Sequence, residues 1–152
     1  MSKPVAEDIA KLGRYFAVES NNAFWGLAES DVNDQQKQDL LTNAFTSLYH
    51  WSRVGTEENV QLARVGVARA LCINDSILAL AFAQQAEVYF RGQGDDWAKA
   101  FAYAVLSHAL LISGDEAAAI QQYQVAKSYR AKLSGQDLDI FDATFTLIPI
   151  PN

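Results

Sequence analysis

The side chains with the widest chemical reach gather in the first half of the chain. Asn22 and Trp25 come first, then Tyr49, His50, Trp51 and Arg53, then Asn59 and Arg64. Aromatic rings supply contact area and an arginine grips a carboxylate through paired N–H donors, so this set suits a groove for a partner group. In that reading Trp25 and Trp51 are apolar walls, His50 is a polar contact and Arg64 is the anion contact. The competing reading buries Trp25 and Trp51 in a core, ties His50 to a backbone carbonyl and leaves the arginines on the surface.

Reactive constellations are thin. His50 and His108 fall on different segments, and no His-x-x-x-His or Glu-x-x-His pair sets two ligands on one helical face. Cys72, the single cysteine, lies between Leu71 and Ile73 with no base nearby, which marks a small buried hydrophobe. Gly92-x-Gly94 is half a dinucleotide fingerprint and follows a helical stretch instead of a strand. Asp137, Asp139 and Asp142 lack the glycine and closing glutamate of a calcium loop and suit the positive start of a helix. The expectation is a protein with no catalytic residue, no metal and no cofactor.

Charge narrows the partners. The 152 residues carry a formal net charge of −6, the wrong sign for gripping phosphate backbones or anionic membranes. Nucleic acid and membrane are therefore not expected partners. The segment Met1 to Arg14 holds Lys3, Glu7, Asp8 and Lys11, so no signal-peptide core can be drawn there, and the cytoplasm is the expected address. Half the residues are apolar, enough for one domain over 1–152 with its own core.

The elements that must position these residues are helices. Prolines occur only at Pro4, Pro149 and Pro151, and apolar residues recur at spacings of three and four. Seven helices are expected. The first begins near Pro4 with Ile9, Leu12 and Phe16 as its stripe and runs to about Glu29, unless Gly13 breaks it. The second, capped by Asn33 with Gln36, turns Leu41, Ala44, Phe45, Leu48 and Trp51 to one face, and Gly55 supplies a left-handed stop. Thr56 caps the third, the fourth carries Ala79, Leu80, Ala83, Ala86 and Phe90 and ends at Gly92-Gln93-Gly94, and Asp95 or Asp96 caps a fifth that is apolar or small nearly all round. The Gly114-Asp115 turn opens the sixth, and after Gly135 a shorter seventh carries Leu138, Phe141 and Phe145.

An internal repeat organises them. Tyr103-x-x-Leu106-Ser107-x-x-Leu110 leads through Gly114-Asp115 to Ala119-x-x-x-Tyr123-x-x-Ala126. This resembles the tetratricopeptide (TPR) pattern, in which small residues sit where paired helices approach closely. Ala63, Gly66, Val67 and Ala70, with Ala79, Ala83 and Ala86, give a weaker unit about 40 residues earlier. Asn21-Asn22-x-x-Trp25, Tyr49-His50-Trp51, Ala63-Arg64 and Ala100-Phe101-x-Tyr103 are further similar to a family of small bacterial TPR-like proteins. The resemblance implies an all-α fold, a right-handed superhelical stack of antiparallel helix pairs, and no particular activity. Its units would span about 6–53, 56–92 and 95–133, with a capping helix at about 136–148.

In TPR proteins the first helix of each pair lines the concave side. The resemblance therefore puts Gln61, Arg64 and Ala68, then Phe101, Ala104, His108 and Leu111, on that face. A mostly apolar groove flanked by Arg64 and His108 would suit an amphipathic helix or extended peptide. The expected function is a non-catalytic protein-interaction module contacting its partner through Asn22, Trp25, His50, Trp51, Arg64, Phe101 and His108. The alternative is a small-molecule sensor or enzyme whose polar pocket gathers Asn22, His50 and Arg64. A homo-oligomer is a third expectation, through the first helix or through Phe141, Phe145, Leu147 and Ile148.

Overall fold

A computed structural model describes residues 2–152. Among the described residues there are seven helices and no strand: α1 (Ala6–Ala28), α2 (Asp34–Val54), α3 (Glu57–Ile73), α4 (Ala79–Phe90), α5 (Asp96–Ile112), α6 (Glu116–Arg130) and α7 (Gly135–Phe145). The chain is all-α. No helix is long and apolar enough to cross a membrane.

Local chemistry sets most boundaries. Asn33 and Gln36 form a reciprocal capping box at the start of α2, and Thr56 and Asn59 repeat it at α3. Asp115 accepts from the Ala118 amide to open α6. Pro4 stays outside α1, whose N-cap is Val5. Asp95 is the N-cap of α5 but bonds no amide through its side chain. Gly55 is not a left-handed stop: its φ of −93° is extended, and it is glycine because a Cβ there would lie 2.8 Å from the Trp51 carbonyl oxygen. A left-handed turn does occur at Gly114, with φ of 84°.

The faces of α1 and α2 differ from the expected stripes. Ile9, Leu12 and Phe16 are exposed, and α1 buries Gly13, Ala17, Ser20, Phe24 and Ala28 instead. The cause is close approach of α2. Ser47 Oγ donates to the Ala17 carbonyl at 3.0 Å, and a Cβ on Gly13 would sit 3.0 Å from Val54 Cγ1. Only small residues fit that seam, so Gly13 continues the helix and does not break it. On α2 the buried residues are Leu40, Ala44 and Ser47, whereas Phe45 is exposed and Trp51 half-buried.

Consecutive helices pack together from α1 through α6, and α1, α3, α5 and α7 also touch in order as one row. The middle of that row is the core. Every residue from Ala100 to Leu110 is buried, with alanines and Ser107 letting α6 close in, and Ser107 Oγ donates to the Ala119 carbonyl at 2.8 Å. Helix α7 closes the far end: Phe141, Phe145 and Ile148 are buried, Phe141 stands 5.1 Å from Phe101, and Arg130 of α6 bonds Asp142 through two N–H groups. Asp142 therefore serves this ion pair and not the helix start, and of the four apolar residues offered for self-association only Leu147 is exposed.

The turns after α3 and α5 share one backbone pattern. The Asp75 and Ser76 amides bond the Cys72 and Leu71 carbonyls just as those of Gly114 and Asp115 bond Leu111 and Leu110. Asp75 takes the positive φ that Gly114 takes in the second turn. Arg69 thus matches His108, 39 residues on, and Leu62 matches Phe101. A repeat step of 40 residues, which would pair Asn74 with Gly114, puts these helices one residue out of register.

Candidate functional site

The row of odd-numbered helices carries a cavity of about 360 Å³ to which all four contribute. From α1 come Asn21, Asn22 and Trp25, with Glu29 as its C-cap; from α3 Leu62 and Val65; from α5 Trp97 and Phe101; from α7 Ile140. The spacings are those of single helical faces. Phe101 is the floor, pinned edge-to-face by Trp25 at 5.4 Å and by Trp97 at 6.2 Å, with interplanar angles of 67° and 81°. The two indoles are half-buried walls standing steeply to that floor. The polar groups on the rim are two amides and one carboxylate.

Three expected site residues meet here: Asn22, Trp25 and Phe101. The others lie elsewhere. His50 packs on Phe16 at 5.6 Å and Tyr49 at 5.2 Å beside the α1–α2 seam. Trp51 is half-buried against Gly55, with the Arg14 guanidinium 5.4 Å over its ring. Arg64 takes the position on α3 that Tyr103 takes on α5, and no carboxylate lies within 4 Å of it among the described residues. Asn22, His50 and Arg64 do not share this cavity, since Asn22 alone lines it. Gln61 and Ala68 are buried, and Leu62 and Val65 line the face in their place. The corrected alignment accounts for the difference, because one residue turns a helix face by about 100°.

His108 faces inward. It is 9% exposed, and its Nδ1 accepts from the Arg69 guanidinium at 3.1 Å. Arg69 is missing from the sequence reading. It is 3% exposed, its Nε has no hydrogen-bond partner, and no carboxylate lies within 4 Å among the described residues. Burial lowers its pKa, and burial together with the adjacent guanidinium brings His108 down to about 4. The imidazole is therefore neutral at pH 7, with its proton on Nε2. The sequence signal was available: Arg69 is the one charged residue within Val65 to Ile73, an otherwise apolar run.

Burial pushes the Cys72 thiol up to about 12, which suppresses the reactive thiolate. Among the described residues, no three of His, Cys, Asp and Glu converge as metal ligands would. The cavity offers contact area, two indoles set steeply to Phe101 and a few hydrogen-bonding groups.

The chain matches no family model, no curated protein and no solved structure.

Proposed function

We propose that this chain is a TPR-like helical module that binds a peptide segment of a partner protein, without catalysis, on the face formed by α1, α3, α5 and α7. The observation that carries the reading is the cavity walled by Trp25 and Trp97 over Phe101, which draws on all four helices of the row. Aromatic walls with a few rim amides suit a side chain anchored in a pocket while the peptide backbone runs along the groove. The TPR-like part is supported by the row of first helices, the matched turns after α3 and α5, and α7 lying on α5 as a cap would. Asn22, Trp25 and Phe101 stay in the proposed site. Trp97, Leu62, Val65 and Glu29 join them, and His50, Trp51, Arg64 and His108 leave it.

The test is selection of ligands from a displayed random-peptide library. Selected peptides are expected to bind one per chain and to lose at least about tenfold in affinity against Trp97→Ala, a typical cost for an aromatic anchor. A thermal melt of the variant separates lost contact from lost folding. Peptides indifferent to Trp97→Ala, or a library that yields none, would remove the reading.

A further inference from the structure

We propose that the cavity accepts a cationic side chain, the arginine or lysine of a peptide; this rests on the groove being the peptide-binding face. An aromatic ring attracts a cation over its face through its quadrupole, most strongly when the ring is an indole. Trp25 and Trp97 stand steeply to Phe101 and border one space of about 360 Å³. Four of the protein's own cations lie over other rings: Arg14 over Trp51, Arg53 over Tyr49, and Lys99 and Lys132 over Tyr129. Among the described residues none sits on Trp25, Trp97 or Phe101.

The charge around the cavity has the complementary sign. Its one ionisable lining residue is Glu29, which no cation approaches within 4 Å among the described residues. Glu29 is the C-cap of α1, and the last turn of that helix holds no basic residue, so the negative end of the helix dipole adds to the carboxylate. On the other side of Trp97 lie Asp95, Asp96 and Asp137, with Lys132 as the single cation, 3.9 Å from Asp96. Asp96 and Asp137 stand in the first turns of α5 and α7 and offset the positive ends of those helices. Glu29 faces no such demand. The nearest basic residues on α1, Lys11 and Arg14, line a separate shallow depression that shares only Asn22 with the cavity.

Titration of indole fluorescence with three probes tests this: a capped alanine-based peptide with one central arginine, the same peptide with citrulline in its place, and tetramethylammonium chloride. Citrulline keeps the shape and removes the charge. The arginine peptide is expected to bind about three- to tenfold more tightly than the citrulline peptide. Glu29→Gln, an exposed substitution, should erase most of that difference, and Trp97→Ala should weaken both peptides. Equal binding of the two peptides, still sensitive to Trp97→Ala, overturns the cation proposal and leaves the peptide groove standing. No Trp97-sensitive binding by either peptide overturns both. Tetramethylammonium binding as tightly as the arginine peptide overturns the peptide as the source of the cation and makes the cavity a small-amine site.

Discussion

Arg69 and His108 meet across the α3–α5 contact as a buried base held by a buried cation, with no carboxylate within 4 Å to neutralise the guanidinium. Protonating His108 would strip a charged ring of water and then set it beside a second positive charge, so burial first and Arg69 second bring its pKa from 6.5 to about 4. In the unfolded chain the imidazole protonates near 6.5. Between these values the unfolded state binds the extra proton, so the contribution of His108 to stability is whole above pH 6.5 and is lost as the pH falls towards 4. The size is about 3 kcal/mol. Urea unfolding of the wild type and His108→Gln from pH 7.5 to 4 should show the wild type losing that much relative to the variant. A difference that stays constant with pH would refute the assignment. A cycle with Arg69→Met and His108→Leu isolates the pair: Arg69→Met strands the Nδ1 acceptor, and His108→Leu leaves the guanidinium without its one side-chain partner. The double variant should therefore be more stable than either single by at least about 1 kcal/mol.

At the scale of the helix, caps are local and sequence reading reaches them, whereas faces are tertiary and it does not. Asn33 with Gln36, Thr56 with Asn59, and Asp115 stand where their side chains require. The stripe Ile9, Leu12 and Phe16 has the apolar spacing of a buried face, yet α2 packs on the small residues Gly13, Ala17 and Ser20 beside it. Apolar periodicity misses a seam selected for closeness of approach. Chemical unfolding checks the contrast: Leu12→Gln, at a side chain already 52% exposed, should shift stability by under about 0.5 kcal/mol. Ala17→Leu, at a fully buried position, should cost about 1–3 kcal/mol or more. Helix α7 gives a second case. Phe141→Ala removes a buried ring that touches Phe101 and Phe145 and should cost about 3–5 kcal/mol. Asp142→Asn should cost much less, since its pair with Arg130 is partly in water.

For the whole molecule, the row of odd helices decides both where the candidate site lies and where the structure is firmest. The candidate site was half legible: Asn22 and Trp25 stand out by residue type and Phe101 through the TPR resemblance, while Trp97 reads only as part of an apolar helix. Placing the remainder required the turn after α3 to be matched correctly with the turn after α5, and that depends on Asp75 adopting a positive φ that its type does not announce. The same row predicts a gradient of stability. Helix α5 packs on α3, α4, α6 and α7 and is buried from Ala100 to Leu110, while α3 packs on α1, α2, α4 and α5. The first turns of α1 are exposed and begin from a cap with no side-chain bond. Opening α5 requires breaking four interfaces at once, so its amides should exchange only through global unfolding, whereas those of Ile9 to Leu12 should exchange through fraying. Native-state hydrogen exchange should rank α5 and α3 slowest, then α2, α4 and α6, with the start of α1 fastest. Protection at the start of α1 equal to that of α5 would mean that another surface covers Ile9, Leu12 and Phe16 in solution, and sedimentation at several concentrations would then show whether that surface is a second copy of the chain.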